Sequence, residues 1–459
     1  MIFEQYYLAC LSHASYLIGD ETTGRAVVVD PQRDVSAYLA DAERAGVRIE
    51  RVIETHFHAD FVSGHLELAE ATGATICYGE QADADYELER LHDGRRIELG
   101  DVVLEIRATP GHTPESISIV VYEHAGDEVP YGVLTGDTLF IGDVGRPDLL
   151  TSTGVTADEL ARHLYRSLHG KLLTLPDATR VVPAHGAGSA CGKNLSTETV
   201  STIGEQRRTN YALQPMSEDA FVAVVTEGQP LAPAYFTFSA HRNRERHALL
   251  EDHDAPQPLT LDEVLAVRRE GGLILDTRPP ADFATGHLDG SVNVGLEGRF
   301  AEYAGDVIRP GQRVAIIAED GHELEARVRL ARIGFDDVAG YLAEPQRVFL
   351  DHAELVRPSS RLTAGDLARR LDDVPDLQVV DVRNAGEVAG GAVPGSVNVP
   401  LAQLVSRLPD LDPARPTVVY CAGGYRSSIA ASTMAANGFA DVSDLIGGYE
   451  AWALAGSPA

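Results

Sequence analysis

The chain has 459 residues, 44% of them hydrophobic and 23% charged, with a formal net charge of −31. That length and apolar content suit about three domains, each with a core of its own. The acidic balance argues against nucleic acid and anionic membrane surfaces as partners, and no apolar run reaches the ~18–20 residues that span a bilayer.

The amino terminus, MIFEQYYLACLSHASYLIGD, lacks a basic segment followed by an apolar core, so no targeting signal is visible. A cytoplasmic protein without membrane contact is expected, assembled as a homo-oligomer. Arginine supplies nearly all the cations, with lysine only at Lys171 and Lys193. Cys10, Cys77, Cys191 and Cys421 show no CxxC spacing, which favours reduced thiols over a disulfide scaffold.

Up to about residue 250, β-branched runs alternate with helix-like segments such as DVSAYLADAERAG. The runs are AVVVD (26–30), RVIET (51–55), VVLEIRA (102–108) and YGVLTGD (131–137). The pattern predicts a layered α/β domain over residues 1–250, with loops at strand ends. In THFHADFVSGH (55–65), His56, His58 and Asp60 occupy alternate positions of such a loop and can converge on one point. Later loops add His112 (ATPGHTPES), Asp137 (TGD) and His185 (VVPAHG). Clustered imidazoles and carboxylates of this kind are metal-ligand chemistry. The isolated His13, His124 and His163 read as ordinary hydrogen-bonded histidines.

The polar, proline-containing stretch RNRERHALLEDHDAPQPLT (242–260) reads as a linker. An internal repeat follows. LILDTRPPADFATGHLDGSVNV (273–294) parallels QVVDVRNAGEVAGGAVPGSVNV (378–399), aligning Asp276 with Asp381 and Arg278 with Arg383. Each copy continues with an apolar strand, VAIIA (314–318) or TVVYC (417–421), and a helix ending at Gly-Phe. Two α/β domains with parallel sheets are expected, 256–356 and 357–459.

In VVYCAGGYRSSIAAS, Cys421 ends a strand ahead of a glycine loop and a helix beginning near Ser427. Backbone N–H groups and Arg426 around the sulfur favour its thiolate. The first copy has Ala318, Glu319 and Asp320 at this place, with no cysteine or matching arginine, so it should neither hold sulfur nor attract an anion. A spacer or docking role is expected for it.

The order HxHAD, PGHT, TGD, PAHG resembles the metallo-β-lactamase superfamily across residues 1–250. The resemblance implies a four-layered αβ/βα sandwich with one or two metals. Two-metal hydrolases of that superfamily, including the glyoxalase II thioesterases, place a histidine for the second metal where this chain has Phe61. A mononuclear site is therefore expected, with His56, His112 and Asp137 as ligands. Two imidazoles and one carboxylate with open positions suit non-haem Fe(II), and zinc is the alternative. His58, Asp60 and His185 become groups that orient the ligands or hydrogen-bond substrate.

TGDTLFIGDVGRPDL (135–149) and the stretch after PAHG look like persulfide dioxygenases fused to rhodanese domains. That likeness implies that Arg146 pairs with a carboxylate or phosphate of a thiol carrier; an ion pair with Asp143 or Asp148 is the alternative reading. Cys191 becomes a sulfur-guiding thiol or, alternatively, a buried structural one. The repeat resembles rhodanese sulfurtransferases, in which the cysteine carries a persulfide. Cys421, Arg426, Asp381 and Arg383 are then the transfer site. Relatives that attack phosphate use a loop one residue longer than the six residues from Cys421 to Arg426.

The expected activity is oxidation by dioxygen of the persulfide of glutathione, coenzyme A or another small thiol to sulfite. Sulfur exchange among persulfide, sulfite and thiosulfate follows at Cys421. The rivals are a two-metal, zinc-dependent thioester hydrolase of the glyoxalase II type and a non-enzymatic sulfur carrier.

Overall fold

Runs such as Ala26–Val29 are apolar at consecutive positions because both faces of their sheet are covered. Val27 and Val29 enter one core with Tyr16 and Ile18, while Ala26 and Val28 enter another with Leu17 and Val52. This alternation is the two-residue period of a strand. The computed structural model describes residues 1–149, 154–251 and 253–456. They divide into two units, Met1–Ala232 with Phe236–Asp252, and Pro233–Tyr235 with His253–Ala459.

The first unit holds two six-stranded sheets. One runs in sequence order through β1 (Ile2–Leu8), β2 (His13–Asp20), β3 (Arg25–Val29), β4 (Arg48–Ile53), β5 (Thr75–Gly79) and β6 (Glu89–Leu91). The other contains β7 (Arg96–Glu98), β8 (Val103–Ala108), β9 (Ile117–Tyr122), β10 (Gly132–Leu134), β11 (Arg180–Val182) and β12 (Ser201–Thr202), in the order β12-β11-β10-β9-β8-β7. Their inner faces share a core built from Ile18, Val29 and Ile53 of the first sheet and Leu104, Ile119 and Leu134 of the second. The helix Ser36–Ala45 covers the outer face of the first sheet through Tyr38 and Ala42. The helix Ala157–Ser167 covers the second through Ala161 and Leu164, and a Thr156–Glu159 capping box closes its amino terminus. The result is the four-layered αβ/βα sandwich.

The stretch read as a linker begins instead as part of this unit. Asn243 is fully buried, Arg33 donates to the Ala248 carbonyl at 2.8 Å, and Leu250 N–H donates to Glu67 at 3.1 Å. The buried polar groups Arg33, Glu67 and Asn243 need partners, and this polar segment supplies or receives them.

The second unit repeats one topology. β13 (Pro258–Leu259), β14 (Leu273–Asp276), β16 (Val292–Asn293), β17 (Val314–Ile317) and β18 (Val338–Leu342) form a sheet in the order β13-β18-β17-β14-β16, while β15 (His287–Leu288) pairs with β19 (Val356–Arg357). β20 (Ser360–Leu362), β21 (Gln378–Asp381), β22 (Val397–Asn398), β23 (Thr417–Tyr420) and β24 (Val442–Leu445) follow the matching order β20-β24-β23-β21-β22. Both five-stranded sheets are parallel throughout. The repeat also explains its own sequence. Asn293 donates to the carbonyls of Asp276 and Arg278, as Asn398 does to those of Asp381 and Arg383. Among the described residues no helix is long and apolar enough to cross a membrane.

Candidate metal centre and sulfur loop

Strand ends deliver the polar groups of the first unit. His56 follows β4, His112 follows β8, Asp137 follows β10 and His185 follows β11. The loop after β4 is pinned at its start, where Thr55 donates to Asp30 through both its N–H (2.7 Å) and its hydroxyl (2.9 Å). Asp30 itself stands at φ 51°, a left-handed conformation unusual for a non-glycine residue at the end of a strand. Further along, Asn243 donates to the carbonyls of His58 (2.8 Å) and Phe61 (2.7 Å) and accepts from Ser63 N–H.

Hydrogen bonding sets the imidazole tautomers. Because the Thr55 hydroxyl donates to Asp30, it accepts from His56 Nδ1 at 3.0 Å. His112 Nδ1 donates to the Arg146 carbonyl at 2.9 Å. Both rings thus turn an unprotonated Nε2 to the same side. These nitrogens lie 3.8 and 3.5 Å from Asp137 Oδ2. One ligand atom from each of His56, His112 and Asp137 falls within 4.8 Å of the others. His56 Nε2 and Asp137 Oδ2 are buried without a hydrogen bond, a cost that a bound cation would relieve. Burial, reinforced by neighbouring imidazoles, holds His56 well below the usual histidine range, so it is neutral and competent as a ligand. These residues fit a metal ion.

His185 is built differently. Its Nδ1 lies 2.7 Å from Asp137 Oδ1 and its Nε2 lies 2.7 Å from Asp60 Oδ2. Burial opposes its charge, but the two flanking carboxylates outweigh it and push the ring well above the usual range. The same contact outweighs the burial that would raise Asp137, whose carboxyl ends below its ordinary value. His58 points elsewhere, with Nε2 3.1 Å from Asp30. His58, Asp60 and His185 also bring one ligand atom each within 4.8 Å of one another, as do Asp137, His185 and Cys191.

Phe61 stands beside these groups, its ring centroid 4.3 Å from that of His58 and 4.0 Å from that of His13. His13, read from sequence as an isolated core histidine, is therefore part of this pocket, and its ring also lies 5.6 Å from that of His185. Only the fold brings residue 13 here, through the bridge between His13 and His185.

Arg146 is buried and bound by its own neighbour. Its guanidinium donates to Asp148 at 2.7 and 2.8 Å and to the Ala190 carbonyl at 3.1 Å. Of its two sequence readings the ion pair is the one observed, and its backbone carbonyl orients His112. The adjacent Gly145 has a steric reason: a Cβ there would fall 1.9 Å from the Asp137 carbonyl oxygen and 3.1 Å from His112 Nδ1. Cys191 is buried, and burial together with Asp60 and Asp137 pushes its thiol well above the usual range. It faces the pocket as a neutral thiol.

In the second unit, Cys421 directly follows β23 and is buried. Gly424 N–H donates to its Sγ at 3.1 Å, and the thiol donates to Ser427 Oγ at 3.6 Å. Gly424 has φ 104°, and the corresponding Gly321 of the first copy has φ 87°, so both loops keep the turn that glycine permits. Tyr449 N–H donates to the Cys421 carbonyl at 2.7 Å. Arg426 is engaged by Glu387 at 2.7 and 2.8 Å. Asp381 and Arg383 are brought together with each other, Arg383 Nη2 lying 2.7 Å from Asp381 Oδ2 and donating also to the Gly391 carbonyl. Arg278 binds Asp276 and the Gly286 carbonyl in the same way in the copy that lacks a cysteine. The pair thus braces the connection after the strand in both copies, with or without a cysteine.

A sandwich with strand-end imidazoles and carboxylates, followed by two parallel-sheet copies, defines a metallo-β-lactamase-fold protein with tandem rhodanese-like domains. Residues 8–185 match the metallo-beta-lactamase superfamily, and 260–344 and 363–455 match the rhodanese-like domain. The mitochondrial persulfide dioxygenase ETHE1 of Bos taurus is 32% identical over 50% of this chain and 82% of its own length. The Homo sapiens protein of the same description is 31% identical over the same shares. A crystal structure of a metallo-beta-lactamase from Staphylococcus aureus subsp. aureus COL superposes with a TM-score of 0.67 at 33% identity, covering 74% of this chain and 98% of that one. The chain belongs to the persulfide dioxygenase family of the metallo-β-lactamase superfamily.

Proposed function

We propose that the first unit is an Fe(II)-dependent persulfide dioxygenase and that Cys421 is a sulfurtransferase nucleophile. The overall oxidation is RSSH + O₂ + H₂O → RSH + SO₃²⁻ + 2H⁺. Sulfite then attacks the outer sulfur of a Cys421 persulfide, breaking its S–S bond to leave the Cys421 thiol and releasing thiosulfate. The supporting observation is the convergence of His56 Nε2, His112 Nε2 and Asp137 Oδ2, with His185 occupied on both nitrogens by carboxylates.

His56, His112 and Asp137 would hold the metal, which supplies open coordination positions and redox capacity when bound. The protein's share is positional. Thr55 and the Arg146 carbonyl fix the two imidazoles, His185 fixes Asp137, and burial excludes bulk water from the reacting sulfur. At Cys421, the Gly424 N–H stabilises negative charge on sulfur.

Oxygen uptake with glutathione or coenzyme A persulfide, measured on protein whose metal content is known by elemental analysis, tests the oxidation. Iron-loaded protein that consumed no oxygen with any small-thiol persulfide would refute it. Cys421→Ser is expected to abolish sulfur transfer and leave sulfite formation intact. The approach of His58, Asp60 and His185 gives the hydrolase reading its one structural support. A second bound zinc and turnover of an S-acyl thiol without oxygen would establish that reading instead.

A further inference from the structure

The copy without a cysteine touches the loop that has one. Tyr425 lies inside the six-residue span from Cys421 to Arg426, and its hydroxyl reaches into the first rhodanese-like copy. There it lies 2.6 Å from the Gly295 carbonyl oxygen and 3.1 Å from that of Glu297. Its ring meets Tyr303 of the same copy edge-on at 5.4 Å and 75°. Two turns further along the helix Tyr425–Ala436, Ser432 Oγ accepts from the backbone N–H of Asn293 at 2.9 Å, a buried contact with β16. A cavity of about 650 Å³ runs beside this junction, bordered by Pro280, Gly298, His322, Arg329 and Tyr425.

The Cys421 loop is thus held from two directions. Its own domain grips one flank, where Tyr449 and Glu450 N–H groups bind the carbonyls of Cys421 and Ala422. Gly448 permits that approach, since a Cβ there would lie 2.3 Å from both of those oxygens. The opposite flank, Gly424 to Arg426, has Tyr425 as its tether to the other copy. Gly424 is the residue whose N–H meets Cys421 Sγ, so the tether acts one residue from the group that stabilises the sulfur anion. A loop of this kind loses catalytic geometry when its N–H groups drift by fractions of an ångström.

We propose that Tyr425 is a positioning residue for the reaction at Cys421 and that the first rhodanese-like copy serves as the platform that orients the active loop. This inference rests on the sulfur-transfer reading of Cys421. The first copy has lost its nucleophile but keeps the β16-to-helix segment that receives the tyrosine hydroxyl. Its retention alongside the second copy then has a mechanistic reason.

The test compares the full-length wild type with Tyr425→Phe, which removes the hydroxyl and keeps the ring. Thiosulfate-to-cyanide sulfur transfer is expected to lose about tenfold in kcat, as suits the loss of hydrogen bonds at a preorganised loop, with KM for thiosulfate within about twofold. Alkylation of Cys421 by iodoacetamide, followed by mass spectrometry, should change by about threefold or more, and amide exchange should speed up at residues 422–424. Alkylation and exchange require no sulfur transfer. A wild type inactive in transfer would therefore sink the functional reading while these two measurements still decide the positioning claim. Tyr425→Phe with kcat, alkylation and loop exchange all at wild-type levels overturns the proposal. Should that variant misfold, Tyr425→His, which installs the residue found at the corresponding position 322 of the first copy, is judged by the same three measurements.

Discussion

His185 Nδ1 lies 2.7 Å from Asp137 Oδ1, so one oxygen of this carboxylate is fixed by an imidazole while the other faces His56 and His112. The contact orients Asp137 and supplies positive charge behind it. His185→Ala should therefore weaken metal binding although His185 is not among the proposed ligands. The expected loss is roughly 10- to 100-fold in affinity, the usual consequence of deleting a group that orients a metal ligand. Competition against a chelator of known affinity measures it. Unchanged retention of the metal would mean that Asp137 is held by other contacts.

Phe61 puts an apolar ring between His13 and His58, where its centroid lies 4.0 and 4.3 Å from theirs. Phe61→His would add an imidazole beside His58, which is itself grouped with Asp60 and His185. Elemental analysis of that variant should show a second metal equivalent per chain, which wild type should lack, together with lower oxygen uptake. A wild type already carrying two equivalents would remove the mononuclear reading, whatever the variant does.

The loops carrying His56, His112 and Asp137 were legible because each of these residues follows a β-branched run, and a strand's end leaves its next side chains at the sheet rim. The repeat was legible for a similar reason: the Asn of Gly-Ser-Val-Asn-Val binds the same two carbonyls in both copies. Asn243 was not. It binds backbone carbonyls of His58 and Phe61 about 180 residues away in sequence, and a carbonyl acceptor leaves no mark on residue type. His13 was missed for a related reason, since one histidine in a strand has no local pattern that separates a pocket from a core. The two sequence readings of Arg146 could be decided only by geometry, because Asp143 and Asp148 flank it on either side. Asp143 is spent on backbone N–H groups of Val144, Lys193 and Asn194 and on the Tyr211 hydroxyl, leaving Asp148 to the arginine.

Glu387 neutralises Arg426, the cation nearest the Cys421 loop in sequence, through two short contacts at a partly exposed site. Glu387→Gln should free that guanidinium for anionic substrates. Sulfur transfer to sulfite is expected to quicken about threefold at low ionic strength, and the gain should shrink as salt screens it. Stability should change by less than about 1 kcal/mol, as is usual for a partly solvated ion pair. Steady-state rates at two salt concentrations give the answer, and a salt-independent rate at wild-type level would mean that Arg426 does not meet the anion.

Asp306, buried in the helix Phe300–Val307, should make the C-terminal unit lose stability as pH rises. Burial and the nearby Glu302 push its carboxyl up to about 8, against the Ala234 N–H that it accepts and the charges of Arg299 and Arg426. An unfolded aspartate releases its proton near pH ~4. Between that value and about 8 the folded chain therefore holds a proton that the unfolded chain has lost. Proton release then favours unfolding, so stability falls with rising pH across this window and levels off above it. Asp306→Asn keeps a side-chain oxygen for the Ala234 N–H and removes the titration. Its melting temperature should exceed that of wild type by on the order of 5 °C at high pH, with the difference closing toward pH ~4. Calorimetry across that range checks the slope, and parallel wild-type and variant curves would show that Asp306 is ionised in the folded protein at neutral pH.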